Sequence, residues 1–130
     1  ANTLFDDIAV ADSIAGDIEY RGIYIKDAHG STSMVNAVLW IDTQTPGADS
    51  IEIGLDAAGA GGTATTIANE NTAPSSVTFS APADPSAGLS LGTLTTGQAY
   101  PVWVKRTVAA GTSVGTAADY SAIKLRYAES

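Results

Sequence analysis

The sequence of 130 residues contains no cysteine and only one histidine. The missing cysteines exclude disulfide bonds, thiolate metal sites and a cysteine nucleophile. A single histidine excludes a metal cluster built from several histidines of one chain. A domain of this length buries roughly two-thirds of the surface that its unfolded chain exposes, so it can fold without disulfide support.

Basic residues and long apolar runs are also scarce. Six lysines and arginines stand against 14 aspartates and glutamates, which gives a net charge of −8. Nucleic acids and anionic membranes bind to basic surfaces, so the acidic balance argues against both as partners. No stretch approaches the roughly 20 apolar residues of a membrane-spanning helix. The first residues also lack the basic region and apolar run of a secretory signal, so we expect no intact signal peptide.

The sequence is rich instead in short stretches where apolar and polar residues alternate. Such alternation is typical of strands with one buried face, and residues that favour turns separate the stretches. They begin near residues 18, 34, 51, 77, 89, 100 and 121, and residues 63–67 could add a short edge strand. About seven or eight short strands predict an all-β fold, an antiparallel sandwich of two sheets. We expect one such domain over residues 18–130.

Residues 1–17 precede this pattern and form a predicted N-terminal arm. Its first ten residues include the large apolar residues Leu4, Phe5, Ile8 and Val10. Leaving one such side chain in water forgoes about 1.5–3 kcal/mol of burial free energy. We therefore expect the arm, as a short helix or an extended strand, to dock on its own domain or on a neighbouring protein.

Two short strings match catalytic or nucleotide-binding motifs. Residues 88–92 read G-x-S-x-G, but the nucleophile elbow requires a strand, a sharp turn and a helix, whereas Leu89 and Leu91 alternate as in a strand. Residues 59–64 read G-x-G-x-x-A, but no helix-forming segment follows. We interpret the first string as a strand with Ser90 facing outward and the second as a flexible loop.

The remaining polar candidates also favour structural roles. His29 lies beside Gly30 in a predicted turn, where a solvated side chain is expected. Four aspartates lie near strand ends: Asp42, Asp49, Asp56 and Asp84. They could hold a calcium ion, but the spacing of a calcium-binding loop is missing, so we expect them to form turns and aid solubility. The sequence therefore predicts no enzyme, with no catalytic residue, no cofactor site and no metal site.

Trp40 and Trp103 are the most informative aromatic residues. Each occurs mid-strand on the face opposite the main apolar row. Two outward tryptophans could form a sugar platform or a protein contact. The alternative is that these strands are buried on both faces. Trp103 beside Lys105 and Arg106 could also form a cation–π cluster.

Two stretches carry a resemblance to a known class of proteins. The first is EYRGIYIK at 19–26, followed after a turn by NAVLWID at 36–42, and the second is LGTLTTGQAYPVWVKRTVAAGTS at 91–113. With them the chain resembles the small virion proteins of tailed bacteriophages, including those that decorate the capsid. The resemblance implies an immunoglobulin-like sandwich without catalytic residues. It also implies a protein made in the host cytoplasm that sits on the capsid surface.

The implied partner is the major capsid protein, which copies of the chain would bind as a homo-oligomer or symmetric assembly and stabilise. The N-terminal arm would clamp the shell, and Trp103, Lys105 and Arg106 would be candidate contacts. Two other functions remain open: a tail or baseplate accessory protein, and a carbohydrate-binding or adhesive module that uses Trp40 or Trp103.

Overall fold

Six β-strands make up most of the regular structure in the described part of the chain. The computed structural model describes residues 17–28, 30–44, 49–108 and 121–129. The strands are β1 (Asp17–Lys26), β2 (Met34–Gln44), β3 (Asp49–Leu55), β4 (Leu89–Leu94), β5 (Ala99–Val108) and β6 (Ser121–Glu129). A single turn of 3-10 helix, Pro85–Ala87, precedes β4.

The strands alternate between two sheets along the chain. The first sheet has the order β1-β5-β3 and the second has the order β4-β2-β6. All four pairings are antiparallel. Every described strand therefore pairs only with strands that are not its neighbours in sequence.

A core of aliphatic side chains fills the space between the sheets, as the alternation predicted. Its buried members are Met34, Ala37, Leu39, Ile41, Ile51, Ile53, Leu91, Leu94, Val102 and Val104. Burial of these side chains supplies the main free energy that holds one sheet against the other. The all-β fold of two antiparallel sheets is thus confirmed. None of the described residues belongs to a helix that is long and apolar enough to cross a membrane.

The pairing of β2 with β4 is irregular at one glycine. Gly92 pairs with Ala37, and the register shifts on both sides of Ala37. Gly92 has a φ of +70°, a left-handed conformation in which a Cβ atom would be strained. The irregularity allows Leu91 and Leu94, which are three positions apart, both to be buried in the core.

Residues 57–79, which we call the strap, lie against the outer face of the first sheet. A Cβ atom on Gly54 of β3 would lie 2.6 Å from Val77 Cγ1 and 2.7 Å from the carbonyl oxygen of Thr78. The strap therefore approaches the sheet more closely than any side chain at position 54 would allow. Residues 63–67, predicted as a possible edge strand, are irregular within it.

The chain leaves the strap by crossing from the first sheet to the second. Ser80 and Ile53 exchange two backbone hydrogen bonds of 2.8 and 2.9 Å at the edge of β3. Two residues later, the carbonyl of Pro82 accepts a hydrogen bond of 2.8 Å from the backbone N–H of Ile41 in β2. The predicted strand near residue 77 is represented by this bridge at Ser80.

Candidate interaction surface

Trp103 lies on the outer face of the first sheet but beneath other residues. Its side chain is 5% exposed. The indole Nε1–H donates a hydrogen bond of 2.9 Å to Oδ2 of Asp56. The alternation placed Trp103 correctly on the face away from the core, and burial on both faces is the alternative that the structure supports.

Asp56 accepts hydrogen bonds from the first part of the strap. Besides Trp103, the backbone N–H groups of Ala58 and Thr65 donate to its carboxylate at 2.9 and 2.8 Å. Burial acts to raise the pKa of Asp56, but these hydrogen bonds favour the charged carboxylate and lower its pKa from 3.8 to about 2. The expectation of a solubilising Asp56 is corrected, because the side chain is buried.

Trp40 is buried as well. It lies in β2, opposite Lys124 of β6, and is 8% exposed. A sugar platform or a protein contact needs an accessible ring face, and neither tryptophan offers one in the folded chain. The structure thus shows both tryptophans buried, where the sequence left open that they face outward.

The two basic residues that follow Trp103 have different environments. Arg106 is buried and its Nη2 lies 2.5 Å from Oε2 of Glu19, its pairing partner on β1. This ion pair sits on the core side of the sheet, which corrects the expectation that Arg106 faces a partner. Lys105 is partly exposed, lies 3.5 Å from Glu52, and stands 5.8 Å from the ring centre of Phe79. The cation–π contact thus involves Phe79 of the strap.

The catalytic and nucleotide-binding strings have the structures expected of a strand and a loop. Ser90 lies in β4 and is exposed, and the strand continues to Leu94 without the turn and helix of a nucleophile elbow. Residues 59–64 run through turns at the start of the strap, and no helix follows within the described part of the strap. The loop predicted as flexible is held by hydrogen bonds that include Gly61 N–H to the carbonyl of Ala99 at 2.8 Å.

The other candidate acids and the single histidine give no site. Asp84 caps the 3-10 helix, accepts hydrogen bonds from Ser86 and Ala87, and has a lowered pKa for that reason. Asp42 pairs with Lys124 at 3.1 Å. Among the described residues, no three histidine, cysteine, aspartate or glutamate side chains are placed to hold a metal ion. His29 lies outside the described residues.

Four further predicted contact residues, Leu4, Phe5, Ile8 and Val10, also lie outside the described residues. The contact role predicted for the arm therefore stays a prediction.

Among the described residues, the exposed large apolar side chains lie on edge strands. Ile18 and Tyr24 of β1 are 41% and 51% exposed, and Tyr127 of β6 is 40% exposed. Both strands form an edge of their sheet. The alternation of apolar and polar residues predicts a strand at all three positions but not their exposure, because alternation does not reveal which strand lies at an edge.

Within the described residues, the strap binds the backbone of the β1 edge at one end. The backbone N–H of Tyr20 donates to the carbonyl of Glu70 at 2.6 Å, and Asn71 Nδ2 donates to the carbonyl of Ile18 at 2.8 Å. Arg21 adds an ion pair of 2.5 Å with Glu70. The strap therefore occupies the first part of this edge.

Comparison with known proteins adds no identification, because no family model, no curated protein and no solved structure matches the chain. The fold and the exposed strand edges are the observations on which a function must be argued.

Proposed function

We propose that this chain is a non-catalytic binding module of a virion, an immunoglobulin-like sandwich that decorates and stabilises a bacteriophage capsid from outside. The observation that carries the proposal is the exposed apolar surface on edge strands, with Ile18 and Tyr24 on β1 and Tyr127 on β6. The choice of the major capsid protein as partner comes from the sequence resemblance described above.

The distribution of polar groups supports a structural role. Among the described residues, the buried acidic side chains bind within the fold: Glu19 to Arg106, Asp27 to the N–H of Met34, and Asp56 to Trp103. Acids engaged in this way stabilise the native state and are not placed toward a substrate. The carbohydrate-binding alternative loses its main support, because it depended on accessible faces of Trp40 and Trp103.

The N-terminal arm completes the proposal. A segment that orders on docking adds contact area at a cost in conformational entropy, and many copies on one shell compensate for a modest affinity per contact. In this proposal, Leu4, Phe5, Ile8 and Val10 bind the shell together with partly exposed Lys105.

The test is co-sedimentation of the purified chain with shells assembled from the major capsid protein of the same genome. We expect saturable binding, and we expect deletion of residues 1–14 to weaken it while the circular dichroism spectrum stays unchanged. Immunogold labelling of whole particles separates head from tail. Labels confined to the tail would favour the accessory-protein alternative, and no labelling of particles would contradict both.

A further inference from the structure

In the part of the chain that the structure describes, the second half of the β1 edge has backbone hydrogen-bonding groups without a partner. Asp27 exchanges hydrogen bonds with Gln98 and Gly97 on the β5 side, whereas the N–H of Tyr20 points to the strap. In an antiparallel ladder alternate residues face opposite neighbours, so the even-numbered residues of β1 direct their backbone groups away from β5. Among the described residues, nothing binds the outward backbone groups of Gly22, Tyr24 and Lys26.

From this edge we infer that β1 pairs with β1 of a second copy of the chain, antiparallel and centred on Tyr24. The pairing joins two three-stranded sheets into one continuous six-stranded sheet across a two-fold axis. An exposed and regular strand edge is the usual template for such an addition.

The side chains of the open segment are self-complementary in this register. On the outer face, Tyr24 meets Tyr24 of the second copy, and Lys26 lies opposite Gly22, which has no side chain to oppose it. On the other face, Ile23 lies opposite Ile25, and both already pack against the core. Apolar cross-strand pairs stabilise an antiparallel ladder, and no like charges face each other directly.

Other self-pairings use the edge less well. A shift of one pair toward the start of β1 places Lys26 opposite Tyr20, whose N–H already binds Glu70. A shift toward the end runs past Lys26, where β1 ends. Only the register centred on Tyr24 pairs Gly22, Tyr24 and Lys26 with one another.

Charge also favours a second copy as the occupant. Each chain carries a net charge of −8, but the open segment from Gly22 to Lys26 contains no acid and one base. Glu70, which is exposed and already paired with Arg21 of its own chain, occupies the adjoining edge position beside Tyr20. Lys26 of one copy pairs with Gly22 of the other. Gly22 is two residues from Tyr20, so Lys26 lies roughly 7 Å along the strand from the edge position that Glu70 of the other copy occupies. The two-fold axis produces this opposite-charge approach twice.

The experiment uses the absence of cysteine in the full chain. Tyr24→Cys introduces the only thiol, and directly opposed residues bring their Cβ atoms to about 4.5–5.5 Å, close to disulfide geometry. Under mild oxidation, we expect a covalent dimer to form about tenfold faster than from Tyr127→Cys, because pairing raises the effective thiol concentration. Tyr127 is a matched control, since it is an exposed tyrosine on the edge of the other sheet. Equal rates would overturn the inference.

A second pair of variants tests the backbone hydrogen bonds without cysteine. Gly22→Pro removes the outward N–H, whereas Gly22→Ala keeps it and adds only a Cβ atom at contact distance, 3.4 Å, from the Trp103 ring. By analytical ultracentrifugation we expect wild type and Gly22→Ala to dimerise and Gly22→Pro to be mainly monomeric. The circular dichroism spectrum of Gly22→Pro should match that of wild type. A monomeric wild type, or a dimer that survives Gly22→Pro in its folded form, would overturn the inference. Neither outcome depends on capsid binding, so this inference can fail while the proposed function stands.

Discussion

The two faces of the first sheet are buried in different ways. On the inner face, Val102, Val104 and Ile53 pack against the second sheet through contacts that have no preferred direction. On the outer face, irregular strap residues are attached at a few points by hydrogen bonds and ion pairs, chiefly through Asp56 and Glu70. The inner face therefore tolerates exchange among aliphatic residues of similar size, whereas the outer face depends on individual polar groups.

The largest effect is expected on the inner side. Leu39→Ala removes a side chain that is 1% exposed and leaves a cavity between the sheets. We expect the free energy of unfolding to fall by about 2–5 kcal/mol in urea, with protection lost throughout the domain. Ser90→Ala, at an exposed position of the adjacent strand β4, serves as the control and is expected to stay within about 0.5 kcal/mol of wild type. A loss of protection confined to the strap would contradict the expectation that the inner face stabilises the whole domain.

A smaller and more local effect is expected from the outer face. Asp56→Ala leaves the indole N–H of Trp103 and the N–H of Thr65 without their acceptor, which we expect to cost about 2–3 kcal/mol. Limited proteolysis should then cut first within residues 57–79. Trp103→Phe keeps a ring but removes one donor, so we expect a loss of about 1 kcal/mol. Equal protection of strap and sheets in Asp56→Ala would contradict a separately attached strap.

Low pH should reproduce part of the stability loss expected from Asp56→Ala. The pKa of Asp56 is lowered to about 2 in the folded chain from 3.8, so its charged form stabilises the fold above pH 3.8. This contribution is about 2 kcal/mol and is lost as the pH falls from about 4 toward 2. Urea unfolding of wild type and Asp56→Ala should therefore show a stability difference that is constant from pH 7 to 5 and narrows below pH 4. A difference independent of pH would contradict the assignment.

The smallest effect is expected from a polar contact outside both faces of the first sheet. Lys124 and Asp42 pair at 3.1 Å on the second sheet, and both side chains are well exposed. A double-mutant cycle with Lys124→Ala and Asp42→Ala should give a coupling of about 0.5 kcal/mol or less, decreasing with salt. A coupling free energy as large as the loss of unfolding free energy in Asp56→Ala would contradict the expectation that buried polar contacts in this chain are stronger than exposed ones.

The inner face was predictable from the sequence and the outer face was not. Alternation in β1, β2 and β5 assigned Val102, Leu39 and their neighbours to a common core, because a buried face repeats every second residue. The strap has no repeating pattern, so Asp56 resembled any other aspartate at the end of a strand. Trp103 was placed on the correct face, but only the structure shows that residues 57–79 cover it.

The order of the strands in each sheet could not be predicted from the alternation of apolar and polar residues either. Pairing depends on which buried faces meet, and many arrangements satisfy the same pattern of apolar residues. The exposure of Tyr24 and the free backbone of Gly22 follow from the position of β1 at an edge. Those two features carry the candidate surface, and both depend on topology more than on local sequence.

The alternation of strands between sheets has a consequence for how the chain is made. Among the described strands, β1 and β3 both pair with β5 alone, and β5 begins at Ala99. During synthesis, β1 to β4 leave the ribosome before the central strand of that sheet exists. Neither β1 nor β3 can form its hydrogen-bonded ladder before β5 is synthesised. Both apolar strands therefore stay unpaired in the nascent chain until that point.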